Sequence, residues 1–307
     1  MGLVSATQDA AFEHALGANV ERVSFDWRWA EPSQGQYSFG VYDQMYAAMQ
    51  AQGIRPIWIL LFAPSWASAV PCDQYTQNCM YPPAASHYAD AAHMAALLAT
   101  RYPNSAGIEI WNEENNHWFW PSPDPAAYTQ LLKVSYSAVK QANPSMPVVL
   151  GGLSNVQQTA GGDVSLNDFL TGVYANGGKD SMDAIAFHPY PAGSDLSLVT
   201  QVFQQVRSIR HQFADDSKPL WATEIGLTTS GNMWPGVGDA AQAATLVAVY
   251  KLLSAMPDVK MIIFHTLIEY GSASDSEYGY GLMTPSFQPR PAFCALALLR
   301  GNVSCST

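Results

Sequence analysis

The sequence repeats one pattern seven times: a short apolar run, a polar or aromatic loop, and then an amphipathic helix. Nearly continuous apolar runs are typical of strands that are buried on both faces, as they are in parallel sheets. The predicted strands cover residues 20–25, 55–61, 107–111, 147–151, 184–187, 219–223 and 260–264. Because these strands alternate with helices along the chain, the sequence predicts an α/β fold built on a parallel sheet.

Length and loop composition favour a closed barrel over an open sheet. The chain has 307 residues, and a barrel of eight strand–helix units runs to about 250 residues as one domain. The alternative is an open doubly wound sheet, which is expected to carry a glycine-rich phosphate loop. No such loop follows the early strands. We therefore predict a single-domain (β/α)8 TIM barrel over residues 1–307, whose first strand would lie in the weakly apolar residues 1–5.

Polar residues mark where the predicted helices begin. Asp124 followed by Pro125 combines a helix cap with a proline at the first helical position. Ser86 and Asp239 are predicted to cap two further helices in the same way.

Two of the predicted strands lead directly into a glutamate, Glu113 after residues 107–111 and Glu224 after residues 219–223. The carboxyl ends of parallel barrel strands face one mouth, so these side chains can meet although they are far apart in sequence. A single glutamate at a strand end could equally form a loop ion pair or cap a helix. Two of them favour a catalytic pair of the kind that cleaves glycosidic bonds, in which one carboxylic acid protonates the leaving oxygen and one carboxylate attacks or activates water. Glu114 is predicted to point elsewhere, as a solvated loop residue.

Composition excludes several other classes of function. The formal net charge of −11 repels phosphate backbones, which argues against a nucleic-acid partner. No run approaches the roughly 18 apolar residues of a membrane span. His87 and His93 are spaced poorly for a shared metal ion, and no histidine–carboxylate cluster suggests one, so we predict no metal and no cofactor. No serine lies in a G-x-S-x-G elbow, which argues against a serine hydrolase.

The four cysteines fall into two local pairs, Cys72 with Cys79 and Cys294 with Cys305. Zinc sites usually have tighter spacing and more histidines nearby, so two short-range disulfides are favoured over a metal site. These disulfides would cross-link the loop 72–79 and the tail 294–305, which implies an oxidising compartment. The alternative is four free thiols in a cytosolic protein. Residues 1–4 lack the features of a signal peptide, and we predict a secreted or periplasmic protein whose signal peptide has been removed.

The residues around both glutamates resemble clan A of the retaining glycoside hydrolases. In that clan an Asn-Glu pair like Asn112-Glu113 follows the fourth barrel strand and a glutamate like Glu224 follows the seventh. The chain is most similar to glycoside hydrolase family 39 and to family 5-like relatives. The likeness runs from about Thr7 to Leu299 and is carried by Arg22-Val23-Ser24-Phe25-Asp26-Trp27, Glu31-Pro32, Gly35-Gln36-Tyr37, Tyr42-Asp43, Gly53-Ile54, Ala184-Ile185-Ala186-Phe187-His188-Pro189-Tyr190 and residues 279–291.

The resemblance implies a retaining mechanism that acts on an oligosaccharide, a polysaccharide or a glycoconjugate. Glu113 would be the general acid/base and Glu224 the nucleophile that forms a covalent glycosyl-enzyme. Asn112 would bind the 2-hydroxyl of the sugar. His188 and Tyr190 would line the site near Glu224, with Arg22 beneath it to keep it ionised. A transglycosylase with the same carboxylates and an inactive glycan-binding barrel remain alternatives.

The chain departs from the family pattern at two places. The proline that usually follows the acid/base glutamate is replaced by Glu114. The tryptophan that usually ends the last strand, and that floors the sugar site, is replaced within Phe264-His265-Thr266, with Glu269 shortly after. His265 and Glu269 are therefore predicted to contact substrate in its place, which leaves the identity of the sugar open.

Tryptophans that follow strand ends are candidates for stacking on sugar rings. Trp118 lies in the polar loop directly after Glu113, and Trp27 and Trp66 lie just past two other predicted strands. We predict that these three contact substrate. For the loop around Trp118, the alternative is a hydrophobic lid that folds back on the protein.

Overall fold

The computed structural model describes residues 5–75, 79–230, 236–272, 275 and 277–302. Within these residues seven parallel strands form one sheet in the order β1 to β7, each strand paired with its neighbours in sequence. All seven predicted strands are confirmed, with boundaries that shift by at most three residues. Their bounds are Val20–Asp26 (β1), Arg55–Leu61 (β2), Gly107–Asn112 (β3), Val148–Ser154 (β4), Ile185–His188 (β5), Leu220–Ile225 (β6) and Val259–Phe264 (β7).

Helices occupy the connections between strands, as the alternating pattern predicts. The α-helices are Ala6–Leu16 (α1), Trp27–Ala30 (α2), Gly40–Ala51 (α3), Tyr88–Arg101 (α4), Pro125–Ala142 (α5), Leu166–Ala175 (α6), Ser197–Gln212 (α7), Asp239–Ser254 (α8) and Pro291–Leu299 (α9), with short 3₁₀ turns at Ala85–His87 and Lys179–Ser181. No helix in the described part of the chain is both long and apolar enough to cross a membrane.

The predicted helix caps are confirmed in one case and wrong in two. The carboxylate of Asp124 accepts hydrogen bonds from the amides of Ala126 and Ala127, at 2.8 and 3.2 Å. Ser86 instead lies inside a 3₁₀ turn that precedes α4, and Asp239 is the first residue of α8 rather than its cap. A capping oxygen must lie one residue outside the helix, so an error of one residue at the boundary removes the interaction.

The sheet curls until its two edges face each other. Cα atoms of β1 and β7 approach within 8 Å, but these edge strands are not paired to each other. β7 is mostly half-buried, whereas β2 to β4 are almost entirely buried. The predicted first strand falls on residues 1–5, of which 1–4 lie outside the described residues, and Ser5 caps α1.

A disulfide joins Cys72 to Cys79, whose Cα atoms are 5.9 Å apart. It closes a loop that follows β2, as the cysteine spacing predicts. The second predicted pair involves Cys305, which lies outside the described residues.

Candidate active site

The two predicted catalytic glutamates meet at the carboxyl end of the sheet. One oxygen of Glu113, one oxygen of Glu224 and one ring nitrogen of His188 all lie within 4.8 Å of one another. The glutamate side chains are 16% and 20% exposed and His188 is fully buried. Residues from three strands therefore converge on one small, partly enclosed cluster.

Arg22 on β1 holds this cluster from below. Its guanidinium donates 2.9 Å hydrogen bonds to both Glu109 and Glu224 and a 2.6 Å hydrogen bond to Oδ1 of Asn112. A planar guanidinium presents its donors in fixed directions, so it can orient several acceptors at once. Arg22 thus contacts Glu224, the residue that the family resemblance assigns to it, and its role there stays a prediction. Because the carbonyl oxygen of Asn112 accepts from Arg22, its remaining side-chain donor is the amide nitrogen.

The charges around Glu224 keep it ionised. Burial alone would raise the pKa of the Glu224 carboxyl, but the charges of His188, His265 and Arg22 and a hydrogen bond from Tyr190 lower that pKa to about 2. The Tyr190 hydroxyl donates to Oε1 of Glu224 at 2.5 Å. A carboxylate that stays charged at neutral pH suits a nucleophile.

His188 contacts the other glutamate more closely. Its Nδ1 atom lies 2.8 Å from Oε1 of Glu113 and 4.0 Å from Oε2 of Glu224. His188 therefore bridges the two carboxylates, whereas the sequence predicted only that it lies near Glu224.

The backbone at the end of β3 is unusual. Trp111 and Glu113 adopt φ values of 74° and 44°, in the left-handed region that residues other than glycine rarely occupy. The amide of Glu113 donates to the carbonyl of Gly152 at 3.0 Å, and its carbonyl accepts from Asn116 at 2.7 Å. Strained backbone of this kind recurs at functional sites, where surrounding hydrogen bonds hold it.

The adjacent glycines of β4 make room for the cluster. A Cβ atom on Gly152 would overlap the imidazole of His188, and one on Gly151 would overlap the carboxyl group of Glu114. Glu114 is fully buried, so its prediction as a solvated loop residue is wrong. It does diverge from Glu113, but inward, because the left-handed turn directs it under β4. Burial raises the pKa of the Glu114 carboxyl well above its usual range, which favours the neutral form.

Glu109 is a site residue that the sequence analysis missed. It is fully buried in the middle of β3, accepts two hydrogen bonds from Arg22, and accepts a third from Thr223 at 3.2 Å. The signal was present, because an acidic residue between Ile108 and Ile110 in a buried strand needs a charged partner.

A cavity of about 720 Å³ opens beside Glu224 and runs between β1 and β7. His265 and Glu269 line it, as does Tyr270. His265 is 20% exposed and lies 3.3 Å from Glu277; burial lowers its pKa, but the hydrogen bond and charge of Glu277 and the charge of Glu224 outweigh burial and raise it. Glu269 is buried, and its Oε2 atom accepts from Arg290 at 3.1 Å. Of the two residues predicted to replace the usual tryptophan, His265 is thus the accessible one.

The three predicted sugar-contacting tryptophans fall in different environments. Trp118 is 65% exposed on the loop after Glu113 and lies 5.0 Å from the ring of His117. Trp120 of the same loop is buried in the core, so this loop folds back in part, as the alternative expected. Trp27 is fully buried and donates its indole N–H to Glu31 at 2.7 Å. Trp66 is half-buried, packs edge-on against Trp27 and donates to the Glu31 carbonyl at 3.0 Å. These contacts place Trp27 in the core and do not support a ligand contact for it.

The cluster of Glu113, His188 and Glu224 also has the donor types and spacing that could hold a cation. The Nδ1 atom of His188 already contacts Glu113, and Oε2 of Glu224 already accepts from Arg22. Both contacts compete with a metal for the same atoms. The expectation that no metal is required stays a prediction.

Several solved glycoside hydrolases have a similar structure. A family 39 glycoside hydrolase from Bacteroides cellulosilyticus WH2 superposes with a TM-score of 0.76 at 22% identity, covering 97% of this chain and 61% of that one. A family 39 β-xylosidase from Caulobacter crescentus gives 0.70 at 24% identity, covering 96% and 67%. GH5_18 from Streptomyces cattleya, solved in complex with GlcNAc, gives 0.73 at 17% identity, covering 98% and 76%.

Sequence comparison matches a smaller part of the chain than structure comparison does. No protein-family model matches the chain. A β-galactosidase of an Arthrobacter species is 23% identical over 156 residues, a match that covers 44% of this chain and 22% of that protein. The chain thus spans under two thirds of the first of these solved structures and about a fifth of the curated relative. The resemblance seen in the sequence is confirmed at the level of structure: the chain has the fold of family 39 and family 5 glycoside hydrolases.

Proposed function

We propose that the protein is a retaining glycosidase that uses Glu113 as general acid/base and Glu224 as nucleophile. The observation that carries this proposal is the spacing of the two carboxylates, whose oxygens approach within 4.8 Å. Retaining glycosidases hold their carboxyl groups about 5 to 5.5 Å apart, whereas inverting enzymes leave roughly 6.5 to 9.5 Å for a water molecule. The observed spacing favours direct attack by the carboxylate.

The surroundings of each carboxylate fit these roles. Glu224 is kept charged by its neighbours, and in the first step its oxygen would bond to the anomeric carbon while the bond to the leaving oxygen breaks. Glu113 would give its proton to that leaving oxygen. In the second step Glu113 would take a proton from water, whose oxygen then displaces Glu224. The sugar product keeps the anomeric configuration of the substrate.

The substrate we propose is an oligosaccharide or polysaccharide, bound along the mouth that holds Trp118 and His265. The related enzymes point to no single sugar, because one is a β-xylosidase, another was solved with GlcNAc, and the curated relative is a β-galactosidase. The Cys72–Cys79 disulfide supports action in an oxidising compartment, outside the cell or in the periplasm.

The activity that the Glu113→Gln variant retains should depend on how much protonation the leaving group of the substrate needs. Glutamine keeps the shape of the side chain but cannot give up a proton, so we expect kcat/KM to fall on the order of 10²- to 10⁴-fold for unactivated glycosides. Glycosides of 2,4-dinitrophenol need little protonation and should still form the glycosyl-enzyme in a burst. An equal loss for both kinds of substrate would argue against Glu113 as the acid.

We further propose that the complete fold is a closed (β/α)8 barrel, with an eighth strand between β1 and β7. The cavity lies between these two strands. Glu21 of β1 and Met261 of β7 line it, as does His265, which follows β7, and Met261 is half-buried there. If a strand lies there, the β7 amides that point away from β6 should exchange slowly with deuterium. Rapid exchange of these amides, at a rate typical of an open sheet edge, would contradict closure.

A further inference from the structure

Trp29 and Tyr75 form an exposed aromatic pair at the mouth of the fold. The two residues are 50% and 66% exposed, their ring centroids are 5.7 Å apart, and the ring planes meet at 66°. Trp29 lies in α2, directly after β1, and Tyr75 lies in the disulfide-closed loop after β2. Both rings therefore sit at the carboxyl end of the sheet, where Glu113 and Glu224 also lie.

The pair is held by a rigid scaffold. The buried side chain of Gln74 accepts from the amide of Ser65 at 2.8 Å and donates to the carbonyl of Arg28 at 3.2 Å. Arg28 in turn donates to the carbonyl of Cys79 at 2.8 Å and to Asp26 through two nitrogens. The residues next to both rings are thereby tied together across two loops. Little conformational entropy would be lost when a ligand packs on rings that are already in place.

We propose that Trp29 and Tyr75 bind a sugar unit of a polysaccharide chain at a distance from the bond that is cleaved. Pyranose rings have flat C–H faces that pack on aromatic rings, so we expect the two ring faces, and not the phenol O–H of Tyr75, to supply the binding. The inference rests on the proposed function, because it takes a glycan as the substrate.

Position and size favour a sugar over a protein partner. Asp26, which fixes Arg28, lies on the same strand as Arg22, about 13 Å further along at the usual rise per residue. A glycan that extends from Glu224 beyond the carboxyl end of β1 would approach α2, which carries Trp29. A stable protein interface covers about 800 Å² on each partner, far more than two rings offer, whereas one or two sugar units would fit them.

Affinity electrophoresis of a Glu224→Gln background tests this site without digesting the gel. Gels would contain xylan, galactomannan or mixed-linkage β-glucan. We expect at least one of these polysaccharides to retard the background protein, and Trp29→Ala or Tyr75→Ala to weaken the apparent affinity roughly 3- to 10-fold. Tyr75→Phe, which keeps the ring, and Val134→Ala, which removes an exposed side chain on α5, should migrate like the background.

Kinetics of the same variants, made with Glu224 intact, separate this site from the catalytic carboxylates. Trp29→Ala should raise KM for the retarding polysaccharide while kcat/KM for 4-nitrophenyl glycosides stays unchanged. The distant site is refuted if none of the three polysaccharides retards the protein, or if Trp29→Ala and Tyr75→Ala are retarded as strongly as the background. Absence of any turnover of aryl glycosides by the wild type would instead count against the proposed function.

Discussion

Replacing Glu224 with alanine should reduce kcat on the order of 10⁴-fold or more, because the substitution removes the carboxylate that would attack the anomeric carbon. Sodium azide should restore part of the rate. The azide ion would enter the space left by the carboxylate, while Glu113 still protonates the leaving group. The product would be a glycosyl azide with the opposite anomeric configuration to the substrate, which nuclear magnetic resonance can identify.

Asp216→Ala provides a control for the general effect of removing a carboxylate, because Asp216 is exposed and its ion pair in the described part of the chain is with His211. It should keep wild-type turnover. If Glu224→Ala kept wild-type turnover as well, Glu224 would not be the nucleophile. If azide gave a product of unchanged configuration, attack on the face of Glu224 would be excluded.

Replacing Arg22 with methionine should reduce both stability and activity. Glu109 is fully buried and Arg22 is its charged partner, so the variant leaves a carboxylate without compensation. Breaking a buried pair in this way costs roughly 3 to 5 kcal/mol. Urea unfolding at pH 7 should show this decrease in the free energy of unfolding. Catalysis should fall too, because Glu224 and Asn112 lose the donor that orients them.

A second variant separates the two effects. Arg22→Met combined with Glu109→Met removes the orphaned charge, so most of the lost stability should return while activity stays low. Two results would contradict a stabilising role for the buried Arg22–Glu109 pair. One is a decrease of less than about 1 kcal/mol in the free energy of unfolding of the single variant; the other is a double variant that is no more stable than the single.

The pattern of apolar runs was enough to predict the seven strands, because each run is short and flanked by turn residues and the central strands are buried on both faces. The same pattern was enough to place Glu113 and Glu224 together at the carboxyl ends of the strands. The directions in which single side chains point could not be predicted from the apolar pattern. The inward turn of Glu114 depends on the left-handed conformation of Glu113, which no sequence pattern indicates.

The tryptophans after β1 show the same limit. Trp27 and Trp29 both follow the strand closely, and position alone could not tell which ring would face the mouth. In an α-helix residues two apart differ in direction by roughly 200°. Once α2 begins at Trp27, that ring packs into the core and Trp29 points outward.

Gly152 bears no functional group, yet it sets a stricter condition on the site than many residues that do. Its bare Cα leaves the space into which the His188 imidazole and the Glu109 carboxylate are packed, so even a methyl group there would displace them. A relative could therefore lose its activity while every acid, base and hydrogen-bond donor is still present in its sequence. When homologues of this chain are classified as active or inactive enzymes, the residue at this position should be compared together with the two glutamates.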